Sequence, residues 1–316
     1  MISRSLLRIK ILQVLYAHFN TGGGTDIGKP EKDLTYSIQK SYDLYFHFLM
    51  LPIAVKRYAE SRIEIARNKK LPTFEDLNPN MRFVEDKVIL QIEDDPNFRK
   101  YVSERAINWA DHPELIKNLY NRMIESLYYK EYMEREKSGY TNDKQLLVSF
   151  FSSEFEDFEM LLNILEEQCI FWNDDIELIV GMTVKTIKNT TTKKFDILPL
   201  FKSDEDREFA FSLLKATITN YAEYHKIVDG FVENWDIERV AHIDNLIIQL
   251  AINELVEFPT IPVKVTFDEY LEMAKFYSTP KSSIFINGLL DKIAEDLTQK
   301  GKIVKYGADD DEVVTN

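Results

Sequence analysis

The pattern of apolar and polar positions along the chain predicts a helical protein. Between residues 3 and 19 the apolar positions fall nearly all round a helix when each residue advances by about 100°. Such a helix is buried on most sides, and a strand of this length would be unusual. No alternation of period two persists elsewhere in the sequence. The chain is therefore predicted to be all-α.

Further helices are predicted where long stretches lack glycine and proline. They are expected over 31–67, in three segments between 81 and 138, and over 142–172, 174–189, 204–220, 221–235, 236–257, 264–277 and 281–299. Pro52 is expected to kink the second helix. Ser203 and Asp206 resemble a capping box. Residues 68–80 and 189–201 are predicted to be connecting loops.

The glycine-rich stretch TGGGTDIGKP raises the possibility of a phosphate-binding loop. Gly23, Gly28 and Lys29 stand at the spacing of a P-loop, but the next position requires Ser or Thr and is Pro30. A P-loop also follows a strand, whereas a helix is predicted here. The simpler interpretation is a flexible linker.

Charge restricts how the chain could bind nucleic acid. The net charge is −14, so the overall field repels RNA, and RNA binding must be local or assisted by a partner. The first 25 residues are the exception, because they contain Arg4, Arg8 and Lys10 and no acidic residue. The first helix is therefore predicted to be locally basic.

Residues suited to catalysis or metal binding are sparse. No two of the five histidines are spaced by three or four residues, and with the single Cys169 they provide no zinc ligand set. Cys169 lies in an apolar segment, which is typical of a buried structural thiol. The sequence contains no catalytic motif or dinucleotide-binding fingerprint. We expect neither an enzyme nor a metal or cofactor.

Hydropathy and cysteine content indicate a cytoplasmic protein. No apolar run reaches 18 residues, and Arg8 and Lys10 interrupt the apolar N-terminus. We therefore expect no membrane span and no signal peptide. One cysteine allows no internal disulfide, which suits the cytosol.

Two segments combine cations with aromatic or amide side chains. One is the basic first helix with Tyr16, and the other is the start of the last helix with Lys281, Phe285 and Asn287. Single-stranded RNA is bound by aromatic stacking, amide hydrogen bonds and cation–phosphate contacts. The alternative is that Tyr16 and Phe285 belong to the core.

Several motifs resemble the NusB family in order and spacing. The opening motif, R-x-x-x-R followed by LQ-x-LY, corresponds to Arg4, Arg8, Leu12, Gln13, Leu15 and Tyr16. A later block corresponds to Asn234, Trp235, Arg239, Ile243, Asp244, Leu250, Ala251, Glu254 and Leu255. The final motifs correspond to Glu272, Ala274, Lys275, Tyr277, Phe285, Asn287, Gly288, Leu290 and Asp291.

The resemblance implies an all-helical fold and a role in transcription antitermination. It implies binding of boxA-type RNA together with NusE, a small-subunit ribosomal protein, in an RNA polymerase complex that also supports ribosomal RNA synthesis. The first helix, the position of Tyr16 and the start of the last helix match the family's RNA face, and the position of Asp244 lies close to RNA. The predicted RNA-binding residues are Arg4, Arg8, Lys10, Tyr16, Asp244, Lys281, Phe285 and Asn287.

The sequence also departs from the family. Ser5 and Leu6 replace arginines that many members carry, and Ile248-Gln249 replaces the usual Leu-Arg. Residues 204–298 contain 8 Lys and Arg against 18 Asp and Glu. These departures keep open a protein-interaction scaffold that has lost specific RNA binding. An RNA methyltransferase with a NusB-like domain is a further alternative, but it requires a cofactor domain with a Gly-rich strand–helix turn, which the sequence lacks.

The resemblance predicts a division of the chain into four parts. Residues 1–20 form the first helix of a NusB-like core, and residues 21–200 form a linker and a helical insertion, part of which could complete the core. Residues 201–299 form the C-terminal part of that core. Residues 300–316 form a charged tail that is expected to be disordered.

Overall fold

The fold is built from α-helices. The computed structural model describes residues 2–137, 139–155, 158–232 and 241–306. Within these ranges no strand forms, and the only β-type pairing is an isolated bridge between Thr191 and Lys194. The predicted all-α class is confirmed.

Fourteen α-helices lie in the described ranges. They are α1 (Arg4–Asn20), α2 (Gly28–Arg67), α3 (Phe74–Leu77), α4 (Lys87–Asp94), α5 (Pro96–Arg105), α6 (Pro113–Glu125), α7 (Leu127–Glu134), α8 (Tyr140–Ser153), α9 (Glu159–Gln168), α10 (Ile176–Asn189), α11 (Asp204–Val232), α12 (His242–Glu257), α13 (Val263–Tyr277) and α14 (Pro280–Gln299). A short 3-10 helix, Ile170–Trp172, follows α9.

The chain forms two compact units. The first, which we call the terminal unit, contains residues 3–38 and the chain from residue 201 onward. Helix α12 lies at its centre and packs against α1, α11, α13 and α14. Every residue from Asp244 to Leu255 is buried. Five of these twelve residues are polar or charged, so the enclosure is set by the four helices packed around α12 rather than by an apolar sequence.

The second unit, the middle unit, contains residues 39–200. Its core is rich in aromatic side chains from α2, which stack on those of later helices; the ring centroids of Phe46 and Tyr101 are 3.8 Å apart. The indole of Trp109 donates a hydrogen bond of 2.9 Å to the carbonyl oxygen of His47. Trp172 donates a similar bond of 2.7 Å to the carbonyl oxygen of Lys40. These bonds satisfy the polar ends of two large buried side chains.

Several predicted helix boundaries differ from the structure because local capping decides them. Three helices were expected between 81 and 138, but four form, since Asp95 and Ser126 each cap a new helix start. The predicted loop 68–80 contains the short helix α3, which Thr73 and Asp76 cap reciprocally. The Asp206 carboxylate, predicted to take part in a capping box with Ser203, accepts a hydrogen bond from Arg4 instead in the described contacts.

Longer stretches were divided incorrectly. The predicted helix 142–172 is interrupted between α8 and α9. Conversely, the two helices expected over 204–235 form one helix to Val232, because no residue in this stretch stops it. The predicted helix over 31–67 forms as the single helix α2, with Pro52 inside it. Residues 236–240, the predicted start of the next helix, lie outside the described ranges.

The start of the C-terminal tail packs on the terminal unit. The Lys302 ammonium donates to Glu223, the Lys305 ammonium donates to the carbonyl oxygen of Phe258, and Ile303 is buried. Residues 300–306 thus differ from the expected disorder. Residues 307–316 lie outside the described ranges.

Candidate nucleic-acid interface

Arg8 from α1 lies in the core of the terminal unit, with only 2% of its surface exposed. Its guanidinium donates to both carboxylate oxygens of Glu254 on α12, at 2.7 and 2.8 Å. Thr266 and Tyr270 donate further hydrogen bonds to the same carboxylate, each of 3.0 Å. Burial works to lower the pKa of Arg8, but the hydrogen bonds and charge of Glu254 outweigh it and raise that pKa. Arg8 is therefore charged and structural, and it does not face solvent as the predicted RNA contact requires.

Two more predicted RNA-binding residues are also buried. Lys10 is fully covered within α1, and Asp244 is almost fully covered in the first turn of α12. A phosphate or base outside the protein cannot contact these side chains in this conformation. Their burial corrects the expectation of direct RNA contact, because neighbouring helices enclose α1 at Lys10 and α12 at Asp244.

Arg4 occupies a different position, near the surface at the start of α1. About one third of its side chain is exposed, and its Nε donates a hydrogen bond of 2.7 Å to Asp206. Its guanidinium carbon lies 5.0 Å from the ring centroid of Phe209, and that of Arg8 lies 5.1 Å from the same centroid. The fold thus brings Arg4 and Arg8 together around one aromatic ring, but only Arg4 is accessible.

Tyr16 lies on the accessible side of α1, with 44% of its surface exposed. It borders a pocket of about 400 Å³, which is lined by Leu12, Gln13, Tyr16, Ile243 and Tyr277. The His242 ring lies beside the Tyr16 ring, and the centroids of these two rings are 5.7 Å apart. An exposed tyrosine beside an apolar hollow can stack on a planar base.

The predicted residues of α14 lie at the surface or close to it. Lys281 and Asn287 are exposed, and Phe285 is half-buried. Tyr277 ends α13, and Lys281 follows it after four residues, so their Cα atoms lie within about 14 Å of each other. A cation thus lies close in the chain to Tyr277, which lines the pocket.

The structure adds pocket residues that the sequence did not single out as RNA-binding. Gln13 and Tyr277 belong to the recognised motifs, and the Gln13 amide donates to the Tyr277 hydroxyl at 3.3 Å. Ile243 and His242 begin α12 beside them. Gln13 and Tyr16 are three residues apart and therefore lie on one face of α1, and this spacing was the sequence signal that Gln13 belongs to the same site.

Asn234, Trp235 and Arg239, which carry part of the resemblance, lie outside the described residues.

Among the described residues, no group of three or more His, Cys, Asp or Glu side chains could hold a metal ion. None of the helices in the same ranges has both the length and the apolar character needed to cross a bilayer.

The glycine-rich stretch forms a turn between two helices. The N–H of Gly23 donates to the carbonyl oxygen of His18 at 2.8 Å, and α2 begins at Gly28. Because the preceding element is helix α1 rather than a strand, the stretch lacks the context of a P-loop.

Comparison with known proteins identifies related sequences. The profile of the NusB family matches residues 176–295, which begin at α10. The transcription antitermination protein NusB of Salinibacter ruber is 39% identical over 110 residues, which cover 35% of this chain and 69% of that protein. The protein of the same name from Natranaerobius thermophilus is 35% identical over 107 residues, covering 33% and 77% of the two chains.

A third relative extends the match. The transcription antitermination protein NusB of Pseudothermotoga lettingae is 36% identical over 140 residues, which cover 42% of this chain and 84% of that protein. No solved structure matches the chain significantly. The similarity therefore covers most of each of these relatives but less than half of this longer chain.

Proposed function

The chain belongs to the NusB family, and from this premise we propose that it is an RNA-binding transcription antitermination factor. It binds boxA-type single-stranded RNA together with NusE, joins an RNA polymerase complex and supports ribosomal RNA transcription. Its role is to bind rather than to catalyse.

The observation that carries this proposal is the exposed Tyr16 ring beside its pocket. The residues around the ring come from three separated parts of the sequence that all belong to the family motifs: α1, the start of α12 and the end of α13. An exposed tyrosine ring is ordinary in itself. Here the ring borders an apolar hollow that three motif-bearing segments line together, and this arrangement suits a stacked base.

Few of the predicted cations are accessible. Arg8 and Lys10 are buried, which leaves Arg4 and Lys281 among the predicted residues to meet phosphates. Because phosphate contacts supply much of the affinity for RNA, binding by the chain alone should be modest. NusE would supply the remaining contacts, which explains why the proposal includes it.

Fluorescence anisotropy at physiological salt tests the proposal. A labelled boxA-like RNA and a scrambled RNA of equal length are titrated with the protein, with and without NusE. We expect selective binding of the boxA-like RNA that NusE strengthens. Tyr16→Ala should weaken that binding roughly 5- to 150-fold, since stacking contributes about 1–3 kcal/mol per base.

Two matched variants act as controls. Tyr306→Ala removes another exposed tyrosine ring of the terminal unit, and Tyr16→Phe retains the stacking ring. Both should bind as the unaltered protein does.

The protein-interaction scaffold is the second candidate, and the burial of Arg8 and Lys10 favours it. Equal and weak binding of both RNAs, with and without NusE, would support the scaffold and reject the RNA-binding role.

A further inference from the structure

A second surface of the chain has the chemistry of a polyanion site. It lies in the middle unit, at the end of α10 and in the turn that follows. Residues 183–195 contain four lysines and no acidic residue, in a chain whose net charge is −14. All four lysines are exposed: Lys185, Lys188, Lys193 and Lys194. We call these residues the lysine patch.

The turn that presents the lysine patch is held in a defined shape. Thr191 and Lys194 exchange two backbone hydrogen bonds of 2.9 and 3.2 Å, which place Lys193 at the tip. The carbonyl oxygen of Thr191 also accepts hydrogen bonds from Gln91, at 3.1 Å, and from the hydroxyl of Tyr140, at 2.9 Å. The tip is therefore anchored to α4 and α8.

A fifth lysine fixes the end of α10. The Lys144 ammonium, from α8, donates to the carbonyl oxygens of Lys188 and Thr190 at 2.6 and 2.8 Å. These bonds satisfy backbone acceptors at the helix end and add positive charge there. Since Lys144 already caps this end, the exposed ammonium groups of Lys185 and Lys188 are not needed to do so.

Little in the described part of the chain neutralises the lysine patch. Lys194 forms an ion pair of 2.8 Å with Asp196, whereas no ion pair is found for Lys185, Lys188 or Lys193 among the described residues. Lys185 and Lys188 are three positions apart and so lie on one face of α10. Three uncompensated charges thus lie close together on an otherwise acidic protein.

The chemistry of the lysine patch fits a nucleic-acid backbone better than a protein partner. Protein interfaces are built on apolar and aromatic side chains and contain few lysines. No large hydrophobic side chain is exposed between 183 and 196 among the described residues, and Phe195 is buried. Phosphates, in contrast, are bound by exposed cations whatever the base sequence.

We propose that the lysine patch of the middle unit is a second RNA-contact surface, which binds phosphates of the RNA outside the boxA-type element. The choice of RNA as the polyanion rests on the proposed function. The patch would give the chain sequence-independent affinity for a longer transcript, in addition to recognition at the Tyr16 pocket.

Charge reversal in the full chain tests the proposal. Lys188→Glu and Lys193→Glu are combined, and the double variant is compared with Lys70→Glu combined with Lys130→Glu. Lys70 and Lys130 are exposed lysines of the same unit outside the patch, so the net charge changes equally. Binding is measured by anisotropy over a range of salt, with a short boxA-like RNA of about 12 nucleotides and with two longer RNAs of about 30 nucleotides. One longer RNA contains the boxA-like element and the other is scrambled.

We expect the patch variant to bind both longer RNAs about tenfold more weakly at low salt. Its salt slope should fall by about 1.4, which corresponds to two lost single-strand phosphate contacts. The short RNA and the control variant should show no such change. Circular dichroism melts confirm that both variants are folded.

Three results would overturn the inference: no effect of the patch variant, equal effects of both variants, or displacement of the longer RNAs by polyglutamate as effectively as by unlabelled RNA. The last result would indicate an acidic protein partner. Failure of the boxA proposal would be recognised separately, because the RNAs would then bind without sequence selectivity and Tyr16→Ala would have no effect. The patch variant, in contrast, should weaken binding of the boxA-containing and the scrambled longer RNA equally.

Discussion

The guanidinium of Arg8 and the carboxylate of Glu254 form a buried pair joined by two hydrogen bonds, although the residues are 246 positions apart in the sequence. Both belong to the motifs that identify the family. Their pairing shows that part of the motif preserves the core of the terminal unit, by tying α1 to α12.

Arg8→Met should destabilise the protein by about 3–5 kcal/mol, because it leaves the Glu254 carboxylate buried without its cation. Urea unfolding followed by circular dichroism measures this change. Combining Arg8→Met with Glu254→Leu should cost less than the sum of the two single changes, since no unpaired charge remains. Additive effects would show that the two groups do not interact.

Gly23→Ala should destabilise the turn between α1 and α2. A Cβ atom at this position would lie 2.5 Å from the carbonyl oxygen of His18, which is backbone and cannot move aside. We expect a loss of about 1–3 kcal/mol in the free energy of unfolding. Gly24→Ala is the matched control, because its Cβ meets no atom within 4 Å. Equal stability of the two variants would contradict the crowding at Gly23.

Asp86 in the middle unit should make stability depend on pH. Burial, reinforced by the nearby charge of Asp143, raises the pKa of Asp86 from 3.8 to about 7, against the hydrogen bonds that it accepts at the start of α4. Between about pH 4 and 7 the folded state retains a proton that the unfolded state releases, so the free energy of unfolding falls as pH rises. Above pH 7 this loss is complete.

Asp86→Asn should remove this decrease in the free energy of unfolding, because an amide keeps an acceptor oxygen but does not ionise between pH 4 and 7. Urea unfolding of both proteins at intervals from pH 4 to 8 gives the difference curve, which cancels groups common to both. Asp95→Asn, which alters the cap of α5 in the same unit, should retain the fall seen in the unaltered protein. Parallel curves for the unaltered protein and Asp86→Asn would refute the assignment.

Arg4→Ala separates RNA contact from stability more cleanly than any change at Arg8. The Arg4–Asp206 pair is partly exposed, so its loss should cost no more than about 1 kcal/mol. If Arg4 meets a phosphate, the salt slope of boxA-like RNA binding should fall by about 0.7. Anisotropy titrations over a range of salt measure the slope, with Arg62→Ala, at an exposed arginine of the middle unit, as control. An unchanged slope would favour the scaffold function.

The amino-acid sequence by itself determined the helical class and the enclosure of α1. Apolar positions of residues 3–19 fall nearly all round a helix. This pattern predicted a helix buried on most sides, and α1 is largely buried. It also indicated that the glycine-rich stretch follows a helix, because local periodicity does not depend on distant partners.

Only the tertiary structure decided which cations of α1 are available to a ligand. An arginine on a basic helix has the same local sequence whether it faces RNA or a carboxylate, and the partner of Arg8 lies in a distant part of the chain. The Tyr16 pocket likewise needs α12 and α13 beside α1. Burial and ion pairing depend on these long-range contacts, which a single sequence does not specify. The apolar pattern therefore located the helices, and only the packing between helices determined which face of each helix is exposed.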